Sequence, residues 1–132
     1  MPVDNAALDC TGTWICRYWF HNTKHDNRED TSEYRVQIEK HDGGYVFHSL
    51  PNTGELEGSH MEGRFTIDGV IVMGTFMENT APSGEWEGMT YKGAFQLLMN
   101  DDGTHMEGMR VTTAYNNGNP KVTTGRWEMV RV

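Results

Sequence analysis

Residues 60–78 read HMEGRFTIDGVIVMGTFME, and the folding of this stretch decides the architecture of the chain. Asp68-Gly69 separates two runs in which apolar and polar residues alternate with a period of two. An Asp-Gly pair between such runs signals a hairpin, because a tight turn needs residues that accept positive φ. With Asp68-Gly69 at the turn, Ile67 faces Val70, Phe65 faces Val72, Gly63 faces Gly74 and Met61 faces Phe76. These eight share one face, which the pattern assigns to the interior. His60, Glu62, Arg64 and Thr66, with Ile71, Met73 and Thr75, take the other. Two glycines side by side on an inner face leave room for a sharp bend or for the atoms of something else.

The same alternation recurs on both sides of this hairpin. Strand patterns cover residues 11–20, 32–40, 45–50, about 56–67, 70–78, 86–99, 105–115 and 122–130. In 32–40, Tyr34, Val36 and Ile38 alternate with Arg35, Gln37 and Glu39, a clean inside/outside pattern. Asp42-Gly43-Gly44, Asn100 to Gly103 and Asn116 to Pro120 mark turns, and 79–84 marks a loop. The stretch 21–31 (HNTKHDNREDT) is polar throughout and is expected as a long loop at a barrel mouth. Eight antiparallel strands with short connections predict an all-β fold, an eight-stranded up-and-down barrel of the calycin or lipocalin-like kind. An open sandwich is the alternative. Residues 11–132 make one barrel domain. Residues 1–10 form a leader that either plugs or lids one end or frays.

Composition narrows the function. The chain has 132 residues with four Trp, five Tyr, five Phe and nine Met, which is not the make-up of a disordered chain. Fifteen Gly against four Pro suits tight hairpins. A net charge of −8, with no Lys/Arg cluster, opposes binding to a nucleic-acid backbone. There is no apolar run long enough to span a bilayer and no signal peptide at Met1-Pro2-Val3-Asp4, so no membrane partner is expected and the expected location is cytoplasmic. Cys10 and Cys16 do not form a disulfide framework, and Cys16, inside a strand pattern, is expected as a buried thiol.

Residues 60–63 and 105–108 are both His-Met-Glu-Gly. Two His/Glu pairs at strand spacing invite a metal site. However, the Met and Gly of each copy take the inner parity, so His60, Glu62, His105 and Glu107 face outward, and no metal is expected. The second copy makes Arg110 the equivalent of Phe65, pointing into the barrel or across its mouth. A buried guanidinium needs partners. Glu78, on the inward parity of its strand, is a candidate partner, as are Tyr18, Tyr34 and Tyr91. Arg110 either reaches solvent at the rim or anchors a ligand carboxylate, enolate or carbonyl. Ser49 is an inward hydroxyl, but no histidine falls on its face. Trp14, Tyr18, Phe20, Tyr34, Phe47, Phe65, Phe76, Tyr91, Phe95 and Trp127 take the inner parity. With the soft side chains of Met61, Met89, Met99, Met106 and Met129, they either fill a core or line a cavity for an apolar molecule. The apolar outer positions Ile71 and Met73 point to a possible homodimer.

PNTG at 51–54, FTIDGVIVMGTFMENTAPSGEWEGMTYKGAFQLLM at 65–99, MEGMRV at 106–111 and VTTGRWEMV at 122–130 form a series with GTWICRYWF at 12–20. This layout resembles the β-barrel domain that follows the helix-turn-helix in some actinobacterial regulators, over about residues 12–132. The DNA-binding helices of that family are missing here, and it favours an aromatic at the position of Arg110. The architecture is also similar to small cofactor-free barrel cyclases of actinobacterial polyketide pathways, including spirotetronate-forming [4+2] cyclases. The likeness lies in size, strand layout and aromatic lining. It implies a barrel that encloses an apolar, polyketide-like molecule and promotes its cyclisation by proximity and orientation, with no cofactor. Arg110, Glu78 and Tyr91 would then be the catalytic groups. Trp14, Tyr18, Tyr34, Phe47, Phe65, Phe76, Met89 and Trp127 would shape the pocket. The alternative is a non-catalytic sensor, carrier or self-resistance protein for the same class of ligand.

Overall fold

In the computed structural model, alternation becomes eight strands: β1 (Gly12–Asn22), β2 (Arg28–His41), β3 (Gly44–Ser49), β4 (His60–Asp68), β5 (Ile71–Asn79), β6 (Thr90–Met99), β7 (His105–Asn116) and β8 (Asn119–Arg131). The structure describes residues 9–22, 26, 28–51, 57–81, 88–116 and 119–132. Expectations for residues 1–8, 52–56 and 82–87 lie outside these. Each strand pairs antiparallel with its neighbour in sequence, and β1 pairs with β8, so the sheet closes into a barrel and not a sandwich. Among the described residues no helix is long and apolar enough to cross a membrane.

Up-and-down order sends the connections alternately to two ends. The tight turns β2–β3, β4–β5 and β6–β7 share one end with residues 9–11 and the end of β8. The longer connections β1–β2, β3–β4 and β5–β6, with β7–β8, share the other. At the short-turn end the indole Nε1 of Trp14 donates to the Cys10 carbonyl at 2.8 Å. The Arg131 guanidinium donates to the carbonyls of Asp9 and Thr11 and stacks 4.7 Å from the Trp14 ring centre. The described part of the leader, residues 9 and 10, is therefore tied across this end.

The hairpin register differs from the sequence expectation. Asp68 pairs with Ile71, so Gly69-Val70 forms the two-residue loop. Gly69 has φ +64° and Val70 has no positive φ. This is the pattern of a type II′ turn, which needs a left-handed residue only at its first central position. Centring the loop one residue later moves every partner by two and keeps each paired side chain on its expected face, but it puts Val70, expected inside, in the turn, where it is exposed. Phe65 faces Gly74, Gly63 faces Phe76 and Met61 faces Glu78. Gly63 and Gly74 are thus not paired with each other, and the room beside them is taken by rings. A Cβ on Gly63 would lie 2.5 Å from the Phe47 ring, and one on Gly74 would lie 2.6 Å from the Phe95 ring. Each glycine lets an aromatic ring from the neighbouring strand lie flat against the sheet.

These rings fill the waist. Phe95 and Trp127 meet edge to face at 4.4 Å, Phe76 and Trp127 at 4.8 Å, and Phe47 and Phe65 close the group at centroid distances of 6.2–6.4 Å to Phe95. Toward the short-turn end the interior is aliphatic and thioether, with Ile38, Val72, Leu97, Met99, Met106 and Met129 buried. The polar stretch 21–31 is also corrected. Its described residues are mostly paired strand, with His21 opposite Glu29 and Asn22 opposite Arg28. A ribbon wet on both faces shows no hydropathy alternation, so it reads as loop although β1 and β2 stay paired there.

On the outer face, Ile71, Met73, Leu98, Met109 and Val111 are exposed on β5–β7. Glu62, His105 and Glu107 lie outward as the pattern put them, while His60 reaches over the strand end to Ser49. His105 Nε2 is 3.1 Å from Glu128, and Arg126 is 3.1 Å from Glu107 and 3.8 Å from Glu128. His105, Glu107 and Glu128 offer ligand atoms within 4.8 Å of one another, but arginines already neutralise both carboxylates.

Candidate ligand-binding site

The polar residues of the interior collect at the long-connection end. Glu78 is the next-to-last residue of β5, and it is 4% exposed. Its partners come from strands far away in sequence. Tyr18 of β1 donates its hydroxyl to Oε1 and Oε2 at 2.9 and 2.8 Å. Tyr34 of β2 donates to Oε2. Burial pushes the Glu78 carboxyl above its ordinary value, against the two tyrosine hydrogen bonds and the charge of Arg110, which act the other way. Burial, reinforced by the neighbouring carboxylate, pushes Tyr18, Tyr34 and Tyr91 upward, so all three stay protonated donors. Tyr91 is half-buried and stands opposite Glu78 in the β5–β6 ladder.

Arg110 is 5% exposed. Its Nη1 donates to Thr112 Oγ1 at 2.6 Å and its Nη2 to the main-chain carbonyl of Trp19 at 2.7 Å. Its guanidinium carbon lies 5.2 Å from the centre of the Tyr18 ring. Nε is buried and has no hydrogen-bond partner. Among the described residues no carboxylate lies within salt-bridge distance of Arg110, so Tyr18 stands between the cation, on its face, and the anion, at its hydroxyl. Burial depresses the Arg110 pKa, opposed by Tyr18 and Glu78, and the group stays charged.

Of the residues expected from sequence, the fold unites Arg110, Glu78, Tyr18, Tyr34 and Tyr91 around this end. Phe47, Phe65, Phe76 and Trp127 form the floor beneath them. Trp14 lies at the opposite end, under Arg131. Met89 lies outside the strands, in the β5–β6 connection, where its backbone bonds Thr80. Sequence reasoning missed Thr112 and the Trp19 carbonyl. Inward parity could have found Thr112, which lies two residues beyond Arg110, but no local signal marks a main-chain carbonyl. It also missed His60, whose Nδ1 lies 3.3 Å from Ser49 Oγ and whose Nε2 lies 3.6 Å from Glu62. Parity sends His60 outward, but it starts β4 beyond the last β3–β4 pair and can fold over the strand end. Ser49 Oγ accepts the Met61 N–H at 2.9 Å, replacing a ladder bond where β3 stops, so it serves as a strand-end cap. The Cys16 thiol is fully buried, accepts from Trp127 Nε1 and is held strongly in its neutral form by burial.

Comparison with family models, with curated proteins and with solved structures returns no match to this chain.

Proposed function

We propose that this barrel takes an apolar, polyketide-like small molecule at its long-connection end and promotes its cyclisation without a cofactor. The observation that carries the reading is Arg110. It is a guanidinium shut inside an aromatic interior, with one N–H unspent and, among the described residues, no carboxylate within salt-bridge distance. A cation so placed stabilises negative charge on a substrate oxygen far better than it would in water, because no solvent competes and its position is fixed beforehand. Polarising a carbonyl in this way activates a conjugated partner for addition, and the ring floor restricts a flexible chain to few conformers. Glu78, held by Tyr18 and Tyr34, keeps the site near neutrality and supplies a proton acceptor or donor, with Tyr91 as a further hydroxyl. The resemblance to small barrel cyclases supports the same reading.

Incubation with a linear polyene carrying a conjugated carbonyl should give a product of unchanged mass, at a rate lost in Arg110→Met. A second reading is a sensor or carrier that binds without conversion. The interlocked rings at the waist favour it, since they confine a guest to the mouth and leave less wall to fold it. Tight binding of the polyene with no new product would select that reading.

A further inference from the structure

The β1–β8 ladder runs from Trp14↔Arg131 to Tyr18↔Trp127 and stops, although β1 continues to Asn22 and β8 begins at Asn119. Past Tyr18, β1 keeps its pairing with β2 alone. There it still runs close to β8. A Cβ on Gly125, an inner position of β8, would lie 2.5 Å from the Trp19 carbonyl oxygen and 2.9 Å from Arg110 Nη2. The Trp19 carbonyl, beside this glycine, accepts from Arg110 Nη2 at 2.7 Å. Outside, Arg126 stacks 4.5 Å from the Trp19 ring centre. Past the end of the β1–β8 ladder, the β1–β2 ribbon is therefore tied by one peptide oxygen to a buried cation that has a donor to spare.

We infer that the Trp19 carbonyl occupies the place of a ligand oxygen, and that the site selects ligands bearing an anionic oxygen, a carboxylate or another deprotonated acid, on an apolar body. This rests on the reading of the barrel as a ligand-binding protein and names the class of ligand. A peptide carbonyl is a neutral acceptor, and an oxyanion makes a shorter and stronger bond to a guanidinium. An oxyanion can also use two of the guanidinium donors side by side, which brings Nε into use. The chain carries a net charge of −8, so long-range attraction does not explain anion affinity, and recognition falls to Arg110 locally. When the oxyanion takes Nη2, the Trp19 carbonyl is released and the ribbon loses its inner tie.

The probes are 11-(dansylamino)undecanoic acid and its methyl ester, which share an apolar body and differ in the anion. Fluorescence titration of the full chain at neutral pH should show the acid binding at least about tenfold more tightly, the strength of one charge-assisted hydrogen bond. Arg110→Met should remove the preference, so that acid and ester bind with similar affinity. Arg110→Lys, which keeps the charge, should retain part of it and guards against a misfolded Met variant. Hydrogen exchange of residues 19–22 and 28–31 should speed up with the acid and not with the ester. Equal affinities for acid and ester would overturn the anion selection and leave the ligand-binding reading intact. Failure of both probes to bind would overturn that reading and this inference together. Acid preference without faster exchange in the ribbon would overturn the displacement of the Trp19 carbonyl.

Discussion

Glu78→Gln tests which force governs the buried carboxyl. Two influences oppose each other there. Loss of hydration disfavours the charge, while the hydroxyls of Tyr18 and Tyr34 and the charge of Arg110 favour it. Desolvation wins, because Glu78 is 4% exposed and Arg110 reaches it only across Tyr18. The folded-state pKa is therefore raised above the ordinary 4.5. The sign follows from linkage. Between the two values the folded state binds more protons than the unfolded chain, so stability falls as pH rises through that window. Glu78 contributes its full stability below the unfolded value and loses it as pH passes the folded value. Each unit of pH inside the window costs up to about 1.4 kcal/mol. Glutamine stays neutral, keeps one oxygen for Tyr18 and resembles the protonated acid. Wild type and variant should thus be close in mildly acidic buffer, with the wild type losing ground as pH rises. Urea unfolding of both proteins at a series of pH values gives the difference directly, and all other titrations cancel in it. A difference that grows in favour of the wild type with rising pH would refute the reasoning. It would mean that the tyrosines and Arg110 outweigh burial.

Other consequences are independent of this one. Tyr34→Phe removes a donor to Glu78 Oε2 and should push the window to still higher pH. It should cost about 2 kcal/mol where the carboxyl is charged and less where it is protonated, read by unfolding at two pH values. Arg110→Met exchanges a buried cation for an apolar chain but strips the Trp19 carbonyl of its donor. These offset each other, so stability in urea should stay within about 2 kcal/mol of wild type. A loss much larger than that would mark Arg110 as chiefly a structural clasp. Gly74→Ala drives a Cβ into the Phe95 ring and the Arg64 carbonyl and should cost about 3 kcal/mol. Gly69→Ala meets open space at φ +64° and should cost only about 1 kcal/mol. Equal melting points for the two glycine variants would contradict the packing of rings against the sheet.

What the sequence determined by itself is local. A period of two identifies a strand and its inner face within a few residues, and a turn needs only its own residues. Eight strands, the inward parity of Phe65, Glu78 and Arg110, and the outward parity of the His/Glu pairs were all legible. The register was not. Shifting the β4–β5 turn by one residue preserves every face within the paired strands and moves only Val70 from the interior to the turn, so the alternation pattern does not distinguish the two arrangements, and Gly63 and Gly74 are not paired but each accommodates a ring. The paired segments at 21–22 and 28–31 were hidden because alternation vanishes when both faces are wet.

The site itself belongs to the tertiary structure. Glu78 is satisfied by hydroxyls 60 and 44 residues away, and Arg110 by a carbonyl 91 residues away. Whether an inward cation snorkels to solvent or is sealed depends on where β1 leaves β8, and no residue near Arg110 encodes that. Side-chain direction is a property of one strand, whereas partnership inside a barrel is set by closure, which brings the first strand onto the last.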